Sequence, residues 1–425
     1  MPAQTPYLVV ANAKGDVTEC PPFLMMGDAG GVHAALPDHL IPLPPGSVLY
    51  SLPGRTPVAF SPALGREVVV QAVPGVEGMC AVGAFVAPAY TQLMRPAYET
   101  EPGAQALPLY CYTAVGWRNG RFWVPAVRVD DDPRQDARGF DEKAIARGAR
   151  RLLREFPRNR LVRHLMDNCC MRYRCPAARN FALRRWELPL PTARACNSRC
   201  IGCISLQTDT RVCAPQERIA FTPSPDEIAE ISVPHLERAE RPIVSFGQGC
   251  EGEPLTEFET LAAAIKLIRT RTRRGTINLN TNASWPERVE TLFNAGLDTM
   301  RVSMNSARAR LYKAYFRPSG YSFRDVISSI RIARRMKRFV SINYFVFPGF
   351  TDQENEWRAL SRLLADPGVD MIQWRNLNID PEWYVKELRI NRRARRMGML
   401  ALMDAVRREF PRVRFGYYNP PVRDE

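Results

Sequence analysis

Ala195-Cys196-Asn197-Ser198-Arg199-Cys200-Ile201-Gly202-Cys203 places three cysteines at a CxxxCxxC spacing. A structural zinc site usually takes four ligands, commonly two cysteine pairs or a cysteine pair with a histidine pair. Here Ile204-Ser205-Leu206-Gln207 comes next, and no HxxxH or second CxxC follows. Three thiolates can hold a cubane iron–sulfur cluster and leave one iron without a protein ligand. An iron with an open position is a chemical site, by the logic that separates open from closed metal sites. Cys196, Cys200 and Cys203 are therefore the candidate cluster ligands and the candidate centre of catalysis.

The surrounding composition is that of a cored protein. A length of 425 residues allows two or three domains, and 45 % hydrophobic content supports a sizeable core. No apolar run of about 18 residues occurs, so no membrane span is expected. Met1-Pro2-Ala3-Gln4 lacks the basic-then-apolar pattern of a signal peptide. The 11 cysteines are then expected in a reducing, cytoplasmic setting, as ligands or free thiols. Net charge is +15, unevenly spread: residues 1–130 hold 7 Lys+Arg against 9 Asp+Glu, a net of −2, leaving +17 for the remainder. Basic runs lie at Arg269–Arg274, Arg331–Arg338 and Arg392–Arg396. They read as solvated helix faces. The sharper reading is an acidic partner, RNA or a phosphorylated substrate.

Residues 1–128 read as a β-rich N-terminal domain, with frequent prolines and short apolar runs between turn signals. Asn119-Gly120, between Val115-Gly116-Trp117 and Phe122-Trp123-Val124, predicts a hairpin. His33 and His39 lie far from any cysteine pair and are read as structural. Residues 129–185 read as a helical connector, with helices over 142–156 and from Asn159 to about Cys170. It carries Cys169, Cys170 and Cys175, candidate ligands of an auxiliary cluster or a zinc ion, with His164 as a further donor. The competing reading is buried cysteines acting as small hydrophobes.

From residue 186 to 425, short apolar strands alternate with amphipathic helices, the pattern of repeated βα units around a parallel sheet. Six units predict an open, partial (β/α)6 barrel. The loop after the second strand reads Gly247-Gln248-Gly249-Cys250-Glu251-Gly252-Glu253-Pro254. The third strand, Thr276-Ile277-Asn278-Leu279-Asn280-Thr281-Asn282, and the fourth, Arg301-Val302-Ser303-Met304-Asn305, alternate polar and apolar residues. A parallel strand buried on both faces would be apolar throughout, so one face is expected to line a polar cavity. The competing reading is that these polar residues bond one another in a dry core. Gln373, Arg375 and Asn376 of the sixth strand point to the same mouth and are candidates for substrate contact, followed by Asp380-Pro381-Glu382-Trp383-Tyr384. Cys250 is read as a thiol radical relay or as a buried free cysteine, and Cys213 is assigned nothing.

With the CxxxCxxC motif one strand earlier, the Gly252-Glu253-Pro254 loop makes the chain resemble the radical S-adenosylmethionine (radical SAM) superfamily over residues 186–390. The resemblance implies a partial barrel carrying a 4Fe–4S cluster on Cys196, Cys200 and Cys203. SAM would chelate the open iron, and the Gly252-Glu253-Pro254 backbone would receive its amino group. Asn280, Thr281 and Asn282 would contact its carboxylate or ribose, and Ser303 and Asn305 its ribose. The fifth strand, Ser341 to Phe347, would pack on the adenine. The implied reaction is reductive cleavage of SAM to a 5′-deoxyadenosyl radical, with flavodoxin or ferredoxin as electron donor and hydrogen abstraction from an unidentified substrate. Two departures are visible: Glu251 stands where the family usually has glycine, and Gly202 where it often has an aromatic residue. Two other classes fit parts of the sequence: a non-catalytic iron–sulfur protein for electron transfer or sensing, and a zinc-stabilised nucleic-acid-binding protein.

Overall fold

A computed structural model describes residues 5–31, 33–34, 38–209 and 211–423. Met1–Gln4 and the side chain of His33 lie outside the described residues.

Seven strands form one parallel sheet in simple chain order: Glu187–Leu190, Ile243–Phe246, Thr276–Thr281, Thr299–Met304, Phe339–Val346, Met371–Asn376 and Arg414–Gly416. The last lies beyond the six βα units, where the sequence predicts a short closing strand at Val413-Arg414-Phe415, and it is in register with the sixth through Met371↔Arg414. Helices connect the strands, as right-handed crossovers between parallel neighbours require. Local chemistry sets their limits. Ser224 and Glu227 form a capping box that starts Pro225–Arg238, and left-handed Gly296 ends Pro286–Ala295.

The period-two pattern sorts the strands into two faces. Val244, Phe246, Ile277, Leu279, Met300 and Val302 are fully buried in the core that also takes Leu261, Ile265 and Ile268 of helix Phe258–Arg271. The other face is polar, and toward the strand N-termini it is satisfied internally. Asn278 donates to Ser245 Oγ (3.3 Å) and to Asn280 Oδ1 (2.9 Å), Thr299 donates to Asn278 Oδ1 (2.8 Å), and Ser245 donates to Glu187 Oε1 (2.5 Å). The C-terminal tail completes this network. Asn419 donates to Glu187 (2.8 Å), and Gln373 donates to Tyr418 O (3.1 Å). Among the described residues no ladder joins the first and seventh strands, but Asn419 ties the first strand to the segment after the seventh.

Residues 7–128 are β-rich and antiparallel. Gly116–Arg118 and Arg121–Arg128 form the hairpin around Asn119-Gly120, with Trp117 opposite Phe122. Both turn residues have positive φ, +51° and +75°, as a two-residue hairpin turn demands. This region docks on the sixth strand and on the segment just beyond it. Thr91 donates to Trp374 O (2.7 Å), Gln92 N to Asn376 Oδ1 (2.9 Å), and Asn376 Nδ2 to Tyr90 O (3.0 Å). A buried ion pair, Arg55–Asp380 at 2.8 Å, adds to the contact. Leu93, Met94 and Leu109 share one hydrophobic core with the parallel sheet.

Two elements refine the expectation. Residues 380–384, which follow the sixth-strand candidates for substrate contact, begin a helix. Asp380 caps helix Pro381–Leu388 through Trp383 N (2.8 Å), with Pro381 in its first turn, a start signal present in the sequence. The second connector helix is α only over Arg160–Arg163; His164–Arg172 is a π-helix.

The basic runs are largely engaged. Arg331 pairs with Asp366, Arg334 with Asp370, Arg335 with Glu290, Arg395 with Glu354, and Arg269 with Asp298. That supports solvated, internally compensated faces over a nucleic-acid track. Among the described residues no helix is long and apolar enough to cross a membrane.

Candidate active site

A cavity of about 620 Å3 lies at the C-terminal ends of the parallel strands, where active sites gather in such sheets. Cys196, Cys200 and Cys203 all line it, together with residues 247–254 of the second-strand loop. Asn280, Thr281, Asn282, Ser303, Arg375 and Asn376 line it as well.

Four parts of the fold hold the cysteine loop. Ile201 N and Arg199 N donate to the carbonyls of Tyr315 (3.1 Å) and Phe316 (2.9 Å), at the end of helix Ala309–Phe316. Asn282 Nδ2 donates to Asn197 Oδ1 (2.7 Å) and Ser198 Oγ (3.1 Å). Arg218 reaches Cys203 Sγ (3.7 Å) and Ser205 Oγ (3.2 Å). The second-strand loop provides the fourth anchor. Gly252 N donates to Ala193 O (2.7 Å) and Glu253 N to Ala195 O (2.9 Å). A Cβ at Gly252 would stand 1.8 Å from Ala195 O, so only glycine allows this approach.

Glu251 accounts for its own departure from the family pattern. Its carboxylate is buried and accepts four backbone N–H groups: Thr192 (2.8 Å) and Ala193 (2.9 Å) on one oxygen, Gly247 (2.8 Å) and Gln248 (2.6 Å) on the other. One side chain thus clamps the approach to the cysteine loop onto the second-strand loop. Glu253 does the same for the third strand, accepting from the Thr281 hydroxyl, Asn282 N (2.8 Å) and Leu255 N (3.1 Å). Burial pushes both carboxyls up to about 7, against the donors that favour the anions. Burial and the Glu253 carboxylate push the Cys196 thiol up to about 11. Burial and the two neighbouring thiols hold Cys200 well above the ordinary thiol range.

Gly202 is explained in the same way. A Cβ there would stand 2.7 Å from the Tyr315 hydroxyl. Tyr315 and Phe345 meet edge to face at 5.7 Å, Phe316 and Phe345 stack at 6.3 Å, and all three line the cavity. The aromatic surface absent from position 202 is supplied from helix Ala309–Phe316 and the fifth strand.

The remaining candidates divide. Ser303 and Arg375 face the cavity; Arg375 also donates to Tyr417 O (3.1 Å). Thr281 and Asn282 line the cavity while their side chains brace Glu253 and the cysteine loop. Asn280 Nδ2 donates to Gly247 O (3.0 Å). Asn376 lines the cavity, yet both ends of its carboxamide bind the N-terminal region. Three expectations need correcting. Asn305 does not line the cavity; it is buried past the strand end, where it donates to Tyr384 Oη (3.2 Å) and Leu311 O (3.3 Å). Gln373 does not line it either, being buried beneath the floor and engaged by Arg301 and the C-terminal tail. Cys169, Cys170 and Cys175 do not form one ligand group. Cys169 instead meets His164 and Cys250, while Cys170 is buried apart from them.

Sequence reading placed Arg301 on the polar face expected to line the cavity without giving it a role, and missed Arg218, Asn343 and Tyr315. Arg301 Nε and Asn343 Oδ1 are buried without partners beside the cavity. Burial and the Arg375 guanidinium push Arg301 down to about 9, so two cations share a floor that favours an anion. The alternation of the fourth and fifth strands signalled Arg301 and Asn343. Nothing local signalled Arg218 or Tyr315.

These features define a cysteine-lined cofactor site at the mouth of a parallel α/β sheet. Residues 190–359 match the family model described as the Radical SAM superfamily. Members of that superfamily are enzymes that use a 4Fe–4S cluster and SAM. No curated protein matches the chain. Among solved structures it is similar to native anSMEcpe with bound AdoMet, at 15 % identity and a TM-score of 0.35, covering 45 % of this chain and 52 % of that one. It is similar also to methylornithine synthase (PylB), at 11 % identity and 0.36, covering 66 % and 74 %. A third is Streptococcus suis SuiB bound to S-adenosylmethionine, at 14 % and 0.37, covering 57 % and 54 %. The chain thus spans about half the length of the first of these structures.

Proposed function

We propose that this protein is a radical SAM enzyme acting on a substrate with an anionic group, its cofactors held in a partial (β/α)6 barrel extended by a seventh strand. The carrying observation is that three cysteines, the Gly252-Glu253-Pro254 loop and two arginines line one cavity. The donor set fits: three thiols for a cluster, a glycine-dependent close approach beside them, and unpartnered polar atoms on Arg301 and Asn343. Cys196, Cys200 and Cys203 would hold the cluster. When bound, the cluster and SAM would supply reductive one-electron cleavage of the sulfonium as the source of radical chemistry. The protein's own residues bind and shield. The 252–254 backbone and Ser303 would receive the polar parts of SAM, and Tyr315, Phe316 and Phe345 its adenine. Arg301 and Arg375 would bind the carboxylate or phosphate of the substrate. We assign residues 1–128 to a β-rich domain, 129–185 to a connector and 186–425 to the barrel. Phe85, Val86 and Cys111 of the first complete the cavity wall and limit entry of water and stray hydrogen donors. A flavodoxin or ferredoxin would deliver the electron, in a cytoplasmic setting.

The test is anaerobic: reconstitute the cluster, reduce it, add SAM without substrate, and measure 5′-deoxyadenosine. The wild type should form it, and the variant with Cys196, Cys200 and Cys203 changed to alanine should not. If the wild type forms none, and the paramagnetic spectrum of its reduced cluster is unmoved by SAM, the protein is an electron-transfer or sensing module.

A further inference from the structure

Beside the cavity stands a second group of metal-ligating side chains, joined from two distant parts of the chain. His164, Cys169 and Cys250 present ligand atoms that all lie within 4.8 Å of one another. The sulfurs of Cys169 and Cys250 are 3.7 Å apart. A disulfide would need about 2.0 Å. Two thiolates each about 2.3 Å from a tetrahedral zinc ion stand about 3.8 Å apart, which the observed pair matches.

The histidine is set up to join them. Its Nε2 is buried with no hydrogen-bond partner. Its Nδ1 lies 3.3 Å from Asn168 Nδ2; with that carboxamide turned over, its oxygen accepts from Nδ1–H, the contact that fixes the ring of a metal-binding histidine. The backbone explains how one helix supplies both donors. In an α-helix, residues five apart lie about 140° apart around the axis. His164–Arg172 is a π-helix, whose i→i+5 bonds, such as Tyr173 N to Asn168 O at 2.8 Å, bring residues five apart onto one side. Such segments are rare and recur at functional sites. Cys250 comes from the second-strand loop, between Gly249 and the Glu251 clamp.

We propose that His164, Cys169 and Cys250 bind one zinc ion, whose fourth position opens on the cavity that both cysteines line. Two thiolates and an imidazole suit zinc, and three protein ligands are the mark of a zinc site that keeps a position for water or substrate. The ion pins the second-strand loop to the connector. The assignment of zinc stands apart from the catalytic reading; only access of a substrate donor atom to the ion rests on it.

The experiment uses the full-length protein from zinc-supplemented medium. Elemental analysis gives the stoichiometry, and X-ray absorption at the zinc edge reports zinc separately from iron. About one zinc per chain is expected, with two sulfurs at about 2.3 Å and nitrogen or oxygen at about 2.0–2.1 Å. The Cys169→Ser/Cys250→Ser double variant should lose it, and His164→Ala should bind it about tenfold more weakly or worse. Cys170→Ser should retain it. The variant with Cys196, Cys200 and Cys203 changed to alanine should also retain zinc, which separates this site from SAM cleavage. Three results would overturn the proposal: a wild type essentially without zinc, zinc retained by the double variant, or a Cys169–Cys250 disulfide in non-reducing peptide maps. The wild-type measurement decides the matter even if a variant fails to fold.

Discussion

Glu251→Gln should loosen the cysteine loop without altering a single candidate cluster ligand. Each Glu251 oxygen accepts two backbone N–H groups, from residues 192 and 193 on one side and 247 and 248 on the other. A glutamine keeps one oxygen and turns an NH2 group toward the other donor pair. Two buried donors then face a donor. At about 1–3 kcal/mol for each orphaned group, the cost is about 2–6 kcal/mol. A loss of about 3 kcal/mol corresponds to roughly a hundredfold rise in local opening. Amide hydrogen exchange by mass spectrometry, on cluster-free protein, should show that acceleration in peptides covering 190–196 and 245–250. Iron per chain after reconstitution should fall in parallel. Glu237→Gln, at an exposed position, serves as control. Unchanged exchange in both loops, or wild-type iron content, would refute the clamp.

Three further outcomes are expected. Gly252→Ala places a Cβ 1.8 Å from Ala195 O and should cut reconstituted iron sharply, whereas Gly139→Ala, whose nearest neighbour is a side-chain nitrogen at 3.4 Å, should not; equal iron in both would dismiss the close-approach account. Glu253 is raised from 4.5 to about 7, so the folded cluster-free protein binds the extra proton between those values and loses stability as pH rises through them. Relative to Glu253→Gln, the wild type should lose about 3 kcal/mol from pH 4.5 to above 7, and parallel pH profiles would contradict it. Arg55→Met strands Asp380, whose side chain is 2 % exposed, at a cost of about 3–5 kcal/mol. Proteolysis in the connector near 129–141 should accelerate; an unchanged rate would mean that apolar contacts alone hold the N-terminal region.

How much of this was legible before folding depends on the range of each interaction. The three-cysteine loop, the Gly252-Glu253-Pro254 turn, the Asn119-Gly120 hairpin and the polar faces of the third and fourth strands are local features. Spacing, turn chemistry and a period of two carry them, so the sequence by itself determined a β-rich region ahead of an α/β sheet with a cysteine-bearing mouth. Tertiary structure decided which polar residues serve that mouth. Asn305 and Gln373 share the polar pattern of Ser303 and Arg375, yet Tyr384 and the C-terminal tail engage them away from the cavity. Glu251 reads as a departure from a motif until its partners, up to 59 residues away, fold against it. His164 and Cys169 meet only because their helix winds as π, and Cys250 joins them across 81 residues. Contacts at such separations leave no periodicity along the chain; they exist only once burial brings strand ends together and demands a partner for every polar group left inside.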